Sequence, residues 1–420
     1  MNQKLQTTTC PACSLLCDDI VVSSDGSIET NGCEKGAAFF RIQTASDPVH
    51  QVDGKPASLE SAVSSAVNIL SQSKAPLICG LDQMTTQAQQ IAWKLADRIG
   101  ASIDTTFSNR GRSSLFSLQK VGGVTASFGE ISQRSDLILF WFCDPVLTHP
   151  RLLERLNRAG VERKIIVVGE AGNQTAPYAD QFVELAPDHA AATLSVLRSC
   201  LLNDQRQCVS DSNQLVELAE QLAASNYGAV FYGQPTEGSA FDFADQSMAA
   251  LIRTLNDSVP FVGMKLRSDA NAISAENVLA WSSGYAMAVN HAAGFPRSNW
   301  LEYSAETILK RGECDAILMA TGADFKGTLD GLSPAAQQHL GSIPKIVLSP
   351  IKEIQADVLI RIGVAGLNES GEFCRNDDVS MPLVPLSGSR SATALKADHS
   401  VCVLALEAIY EGVERETKLS

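Results

Sequence analysis

From about residue 58 the chain repeats one pattern of text. Short runs that are apolar throughout (APLICGL, SDLILFWFC, RKIIVVGE, GAVFYG, VPFVGM, CDAILMATG, IPKIVLS, DVLIRIG) alternate with amphipathic stretches. Those stretches are LESAVSSAVNILSQ, TTQAQQIAWKLADRIG ended by Gly100, HPRLLERLNRAG, AAATLSVLRSCLL, NQLVELAEQLAAS, ADQSMAALIRTLND and SAETILKRG, with apolar residues at helical spacing. A strand without polar alternation is covered on both faces, so the text predicts α/β layers built on doubly wound, mostly parallel sheets.

Ahead of that rhythm stands a different kind of segment. Residues 1–54 hold four cysteines, a short β-like run (DIVVSS), a turn-rich stretch (DGSIETNG) and GAAFFRI, a loop-rich unit too small to fold on its own core without a staple. The polar stretch LLNDQRQCVSDSNQ, about 201–214, breaks the later rhythm and marks a boundary or crossover. The expected organisation is therefore a cysteine-rich module over 1–54, an α/β domain over 55–205 and a second over 206–365. Residues 366–420 form an irregular tail, closed by the helix HSVCVLALEAIYEG packing back on the core. The two α/β halves share a grammar but no sequence repeat.

With 420 residues, 45% of them hydrophobic, the chain can bury a substantial core. A net charge of −14, with no stretch enriched in Lys and Arg, excludes a phosphate-backbone partner, so no nucleic acid is expected. No apolar run approaches the roughly 20 residues of a membrane helix, and MNQKLQTTTC lacks a signal-peptide core, which predicts a cytoplasmic protein with no membrane partner. Eleven cysteines, an odd number without an export signal, do not form a disulfide framework. Cys79, Cys143, Cys200 and Cys402 lie in apolar runs and are expected in the core.

The remaining concentration of thiols carries chemistry. CPACSLLC and NGCEKG bring Cys10, Cys13, Cys17 and Cys33, and four thiolates around a turn can hold tetrahedral zinc or a 4Fe-4S cluster. Zinc more often takes two CxxC knuckles; three ligands from one loop and a fourth from afar suit the four corners of a cubane, with zinc and empty thiols as alternatives. Lys35 could offer a charge or a donor to a cluster sulfur or a neighbouring cofactor, or be a solvated surface lysine. Asp18 and Asp19 suit turn capping. Asp144, Pro145, His149, Pro150 and Arg151 follow a strand, where open α/β sheets collect ligands; equally, Thr148 can cap a helix with Pro150 in its first turn. Arg267, Asn271, Asn290, His291, Arg297 and Asn299 form a polar collection that could line a cleft or serve as surface turns. No P-loop, GxGxxG, HExxH or GxSxG occurs, and VVGEAGNQTA lacks the glycine spacing of a pyrophosphate turn.

Taken in order, CPACSLLCDDI, NGCEKGA, SFGEI, FCDP...HPR, GFPR, LKRGECDAIL and GEFCRNDDV resemble the B subunit of formylmethanofuran dehydrogenase, within the molybdopterin oxidoreductase superfamily, over nearly the full length. The resemblance implies α/β domains of the molybdopterin oxidoreductase type, with Cys10, Cys13, Cys17 and Cys33 as 4Fe-4S ligands and Lys35 between cluster and pterin. The family's metal-binding cysteine lies in a segment like D-N-T-A-S-V-C-H-G-P; aligned without gaps from Asp104, DTTFSNRGRSS puts Arg110 at that position and Gly111 at the following His. Arginine cannot deprotonate to bind a metal. After IIVV the family has D-P-R-K-T-D-T-A, and here GEAGNQTA replaces the Asp and Arg positions with Gly169 and Ala171, removing two charged contacts to the dinucleotide. Both departures imply that tungsten or molybdenum with its molybdopterin guanine dinucleotide is absent.

That combination resembles the B subunit of the bacterial formyltransferase/hydrolase complex, a scaffold partnered with A, C and D subunits in tetrahydromethanopterin- and methanofuran-linked formaldehyde oxidation, with no catalytic residue of its own. Two rivals stand beside it. One is an active dehydrogenase B subunit using Cys143 as metal ligand, and the other an iron–sulfur electron-transfer subunit.

Overall fold

A computed structural model describes residues 5–42, 49–105, 117, 122–202, 213–233, 244–267, 270–322, 329, 332–386 and 400–419. The N-terminal segment forms a three-stranded antiparallel sheet of β1 (Leu5–Thr8), β2 (Ile20–Ser23) and β3 (Ile28–Thr30), followed by the short helix α1 (Glu34–Phe40). Next come the hairpin β4 (His50–Val52) and β5 (Lys55–Ala57), α2 (Leu59–Gln72), β6 (Pro76–Cys79), α3 (Thr86–Ile99) and β7 (Ser102–Ile103). The middle of the chain supplies β8 (Leu137–Trp141), β9 (Lys164–Gly169), β10 (Gln181–Glu184), β11 (Gly228–Tyr232) and β12 (Phe261–Lys265). The last part supplies β13 (Val289–Asn290), β14 (Arg297–Ser298), β15 (Ala316–Ala320), β16 (Lys345–Ser349), β17 (Val358–Arg361), β18 (Gly371–Cys374) and β19 (Ser380–Leu383), before a C-terminal helix, Val401–Leu419.

These elements pack as two units. One gathers Met1–Asn109, Asp269–Arg375 and Ser380–Ser420; the other gathers Arg110–Ser268 and Asn376–Val379. The polar stretch expected to mark a boundary near 201–214 falls mostly on residues 203–212, outside the described residues.

The first unit is organised by a nine-stranded sheet in the order β14-β13-β7-β6-β15-β16-β17-β4-β5, parallel from β7 to β17 and antiparallel at both edges. The pleat sends alternate side chains to opposite faces. Ile78, Leu318, Ala320, Ile346, Leu348 and Ile360 pack in one core with residues of α2, α3 and the C-terminal helix. Leu77, Cys79, Ile317, Met319, Val347 and Leu359 pack against helices Ala305–Arg311 and Pro334–Leu340. Local signals set the helix limits: Ser58 Oγ accepts from the Ser61 N–H at 3.2 Å, Thr85 Oγ1 accepts from the Ala88 N–H at 3.3 Å, and α3 stops at Gly100 with φ +68°.

Five strands, all parallel, make the sheet of the second unit in the order β10-β9-β8-β11-β12. One face buries Leu139, Trp141, Ile166 and Val230 with helices Ala190–Leu202, Asn213–Ala223 and Ala244–Leu255. Phe140, Phe231 and Phe128 stack in sequence, with centroid spacings of 5.5 and 6.2 Å. A mixed α/β fold with parallel sheets is therefore borne out. Cys79, Cys143 and Cys402 are buried as expected, whereas Cys200 is only half-buried against the core. Thr148 does not cap the helix expected over HPRLLERLNRAG: its hydroxyl donates to the Asp144 carbonyl at 2.9 Å, and the helix starts at Leu152, beyond Pro150. Among the described residues no helix is long and apolar enough to cross a membrane.

His291, buried in the first unit, stands 3.1 Å from Asp97 through Nδ1 and edge-on to Trp93. Burial pushes its pKa below the usual histidine value, and the Asp97 charge opposes this only in part. The unfolded chain therefore takes up a proton that the folded chain resists as pH falls below about 6.5, so stability contributed above that pH is lost on acidification. His291→Gln is expected to flatten the stability–pH curve between pH 7 and 5, measured by urea unfolding; an unchanged slope would refute the assignment.

Candidate functional site

The N-terminal module draws its cysteines together from two loops. Cys10, Cys13 and Cys17 are each 6% exposed and Cys33 is partly buried. The loop closes on itself through the Cys10 N–H to the Cys17 carbonyl (2.8 Å) and the Leu16 N–H to the Cys13 carbonyl (3.2 Å), with buried Leu16 held at φ +39°. Such a left-handed leucine costs on the order of 1 kcal/mol and persists where the surroundings over-determine it.

Each of three sulfurs meets a backbone N–H: Ala12 serves Cys10, Leu15 serves Cys13, and Gly36 serves Cys33 at 3.4 Å. Cys33 is also the N-cap of α1. Gly36 is where the two cysteine segments meet, since a Cβ there would stand 3.3 Å from Cys10 Sγ and 3.8 Å from Cys33 Sγ. Burial, assisted by the neighbouring thiols, pushes the Cys10 thiol well up and Cys13 up to about 11; the half-buried Lys35 ammonium pulls Cys13 the other way. Soft sulfurs in a dry, N–H-lined pocket fit the donor chemistry of an iron–sulfur cluster. Among the described residues, however, no group of three or more His, Cys, Asp or Glu is drawn close enough to hold a metal ion as it stands.

The second unit offers a crevice. Its sheet order reverses between β8 and β11, the position at whose carboxyl ends open α/β sheets bind ligands. Phe142, immediately after β8, is buried at φ +45° and is pinned by its N–H to the Val168 carbonyl at 2.8 Å. Cys143 Sγ donates to the Phe231 carbonyl at 3.3 Å, and burial pushes its thiol well up, which makes it a poor metal ligand. The loop after β9 folds onto this turn. The Asp144 carboxylate accepts from the Gln174 N–H and the Thr175 hydroxyl, both at 2.6 Å, and Asn173 Nδ2 donates to the Cys143 carbonyl at 3.1 Å. Asp144→Ala would strand the Gln174 N–H and the Thr175 hydroxyl and is expected to cost about 1–3 kcal/mol, read from urea unfolding.

Other polar residues expected at a site are used structurally. Buried His149 donates from Nε2 to the Arg267 carbonyl and sets Nδ1 against Thr148 Oγ1, each at 2.9 Å, while Arg151 forks onto Glu154, holding that carboxyl down at about 2. Asn271 bonds the Met84 carbonyl and the Cys374 N–H, Asn290 bonds Ser102, Asn299 caps the helix Trp300–Tyr303, and Arg297 lies over the Tyr303 ring. Arg110 lies outside the described residues. Two residues escaped the sequence analysis: Asn376 takes the Arg267 N–H and donates to the Lys265 carbonyl, and Asp377 takes the Phe128 N–H. Their only signal was membership of GEFCRNDDV.

Fold and crevice define an α/β protein with its sheets wound for ligand binding and a thiol-rich N-terminal module. Comparison with known proteins is narrower. The chain is 28% identical over 416 residues to the B subunit of tungsten-containing formylmethanofuran dehydrogenase 2 of Methanocaldococcus jannaschii, covering 91% of this chain and 94% of that protein. It is 27% identical over 410 residues to the corresponding protein of Methanococcus maripaludis, covering 90% and 93%. It is 26% identical over 329 residues to the B subunit of the formyltransferase/hydrolase complex Fhc of Methylorubrum extorquens, covering 76% and 86%. A chain in the crystal structure of that complex, FhcABCD with methylofuran bound, superposes with a TM-score of 0.71 at 23% identity, covering 88% of this chain and 100% of that chain. No protein-family model matches the chain. The chain is a homologue of these proteins, as its ordered motifs imply.

Proposed function

We propose that the chain is the non-redox B subunit of a formyltransferase/hydrolase complex, a scaffold assembled with A, C and D subunits in tetrahydromethanopterin- and methanofuran-linked one-carbon metabolism in the cytoplasm. The feature that carries this reading is DTTFSNRGRSS, which, read without gaps from Asp104, puts Arg110 where the dehydrogenase family has its metal-binding cysteine. The crevice supports it from a second side. GEAGNQTA has lost the charged positions of the family's dinucleotide segment, and Asn173, Gln174 and Thr175 spend their polar groups on the Cys143–Asp144 turn.

In this proposal the cofactor left to the chain is a 4Fe-4S cluster on Cys10, Cys13, Cys17 and Cys33, in a module of the iron–sulfur type. When bound, it would supply a covalent staple for a module with little core of its own. The N–H groups of Ala12, Leu15 and Gly36 orient the sulfurs and favour their deprotonated state, and Lys35 adds a positive charge near Cys13. The α/β domains are of the molybdopterin oxidoreductase type with the pterin site abandoned. The rival dehydrogenase reading is favoured by the two tungsten-containing relatives, which the chain matches over more of its length.

Metal analysis with an anaerobic absorption spectrum, on protein co-expressed with its neighbouring subunits, separates the readings. The expected result is about four irons per chain with neither tungsten nor molybdenum. Tungsten or molybdenum near one per chain would overturn the scaffold reading, and a metal-free, colourless protein would remove the cluster. Cys10→Ser is expected to abolish most bound iron and to render residues 1–42 sensitive to proteolysis.

A further inference from the structure

The nine-stranded sheet of the first unit also reverses its order, between β6 and β15, so the carboxyl ends of β15 and its neighbours stand where open sheets bind ligands. We propose that Thr321, Ser349 and Arg361, at the ends of β15, β16 and β17, form a binding site for a small oxyanion. Ser349 pairs with Arg361 in the β16–β17 register, and the Thr321 N–H donates to the Leu348 carbonyl, which continues the β15–β16 register by one residue. The three side chains therefore form one row across adjacent strands, roughly 4.8 Å apart, on the face that carries Met319, Val347 and Leu359.

All three are buried, at 1%, 0% and 6% exposure for Thr321, Ser349 and Arg361. Among the described residues, Thr321 Oγ1 and Arg361 Nε have no hydrogen-bond partner. The Arg361 guanidinium makes one hydrogen bond, from Nη2 to the Pro350 carbonyl at 2.6 Å, and no carboxylate among the described residues pairs with it. Ser349 Oγ accepts from the Ile351 N–H at 3.2 Å and keeps its own O–H to give.

The chemistry of the ligand follows from this inventory. Arginine only donates and the two hydroxyls can donate, so beyond the bond to the Pro350 carbonyl the row presents donors that meet no acceptor among the described residues. A buried cation without a counter-charge is costly, and a water molecule would leave that charge uncompensated. An acceptor-only anion satisfies both demands, and Arg with hydroxyl donors is suited to carboxylate and phosphate oxygens.

The test is thermal unfolding of the full chain against increasing sodium phosphate or sodium formate, with sodium chloride at matched ionic strength, followed by calorimetric titration of whichever anion acts. A saturable rise in Tm with phosphate alone identifies a phosphate site; one with formate alone identifies a carboxylate site. Thr321→Val keeps the side-chain shape and is expected to weaken anion binding about tenfold, whereas the unsaturable stabilisation that phosphate gives any protein should persist in it. Arg361→Met should abolish the response if it folds; should it fail to fold, Thr321→Val alone decides. No saturable response to either anion, or an equal one in Thr321→Val, overturns the proposal.

Discussion

Lys265→Met is expected to destabilise the second unit by about 3–5 kcal/mol. Lys265 ends β12, and its Nζ lies 3.1 Å from Asp245 Oδ2, with the two side chains 7% and 4% exposed. Removing the ammonium leaves a carboxylate buried without its cation, which is the expensive half of a buried pair. Tyr232 cannot replace it, because a tyrosine carries no positive charge; burial and the Asp245 charge push its hydroxyl up to about 12 and keep it protonated. The double variant Lys265→Met/Asp245→Leu removes both charges and is expected to recover most of the loss. Urea unfolding of the two single variants and the double variant gives the coupling directly. A Lys265→Met protein within about 1 kcal/mol of the parent would mean that the pair is hydrated rather than buried. The pair matters for the crevice, since the Lys265 carbonyl also receives Asn376, and Asn376 in turn holds the Arg267 N–H.

Gly412→Ala should lower stability, against the usual direction in a helix. Replacing an interior helical glycine by alanine ordinarily gains about 1 kcal/mol. Here the C-terminal helix lies so close to α2 that a Cβ at Gly412 would stand 2.5 Å from Val67 Cγ2. The backbones must separate or Val67 must leave its rotamer, and overpacking of this kind costs about 1–3 kcal/mol. Gly412→Leu is expected to reach the upper end and to loosen the C-terminal helix, seen as faster amide exchange over residues 401–416. Equal or higher Tm in Gly412→Ala would show that the helices have room to spare.

Much of the fold was legible because the elements are local. LESAVSSAVNILSQ predicted α2, since its apolar spacing acts within a few residues, and the limit at Ser58 came from the structure. The apolar runs predicted β6, β8, β9, β11, β12, β15, β16 and β17, because a strand covered on both faces cannot alternate. HPRLLERLNRAG misled because Thr148 closes the short helix Pro145–Thr148 instead of opening the next one, and Pro150 fell before the helix instead of within it. Asn271 was legible as polar but not as structural: its two bonds go to Met84 and Cys374, far away in the chain.

The sequence by itself determined the element types and the four thiols of the N-terminal module, each written in a short stretch of residue chemistry. Tertiary structure alone decided that β6 and β15, separated in the chain by the Arg110–Ser268 part of the second unit, lie side by side in one sheet. It alone brought Cys10 and Cys33 to the same glycine, turned Asn173 and Thr175 onto the Cys143–Asp144 turn, and buried Thr321 Oγ1 and Arg361 Nε in one row with no partner among the described residues. The physical reason is range. Capping, pleat and helical period act over a few residues, whereas strand order and hydrogen-bond satisfaction are settled by which surfaces exclude water together when distant segments pack.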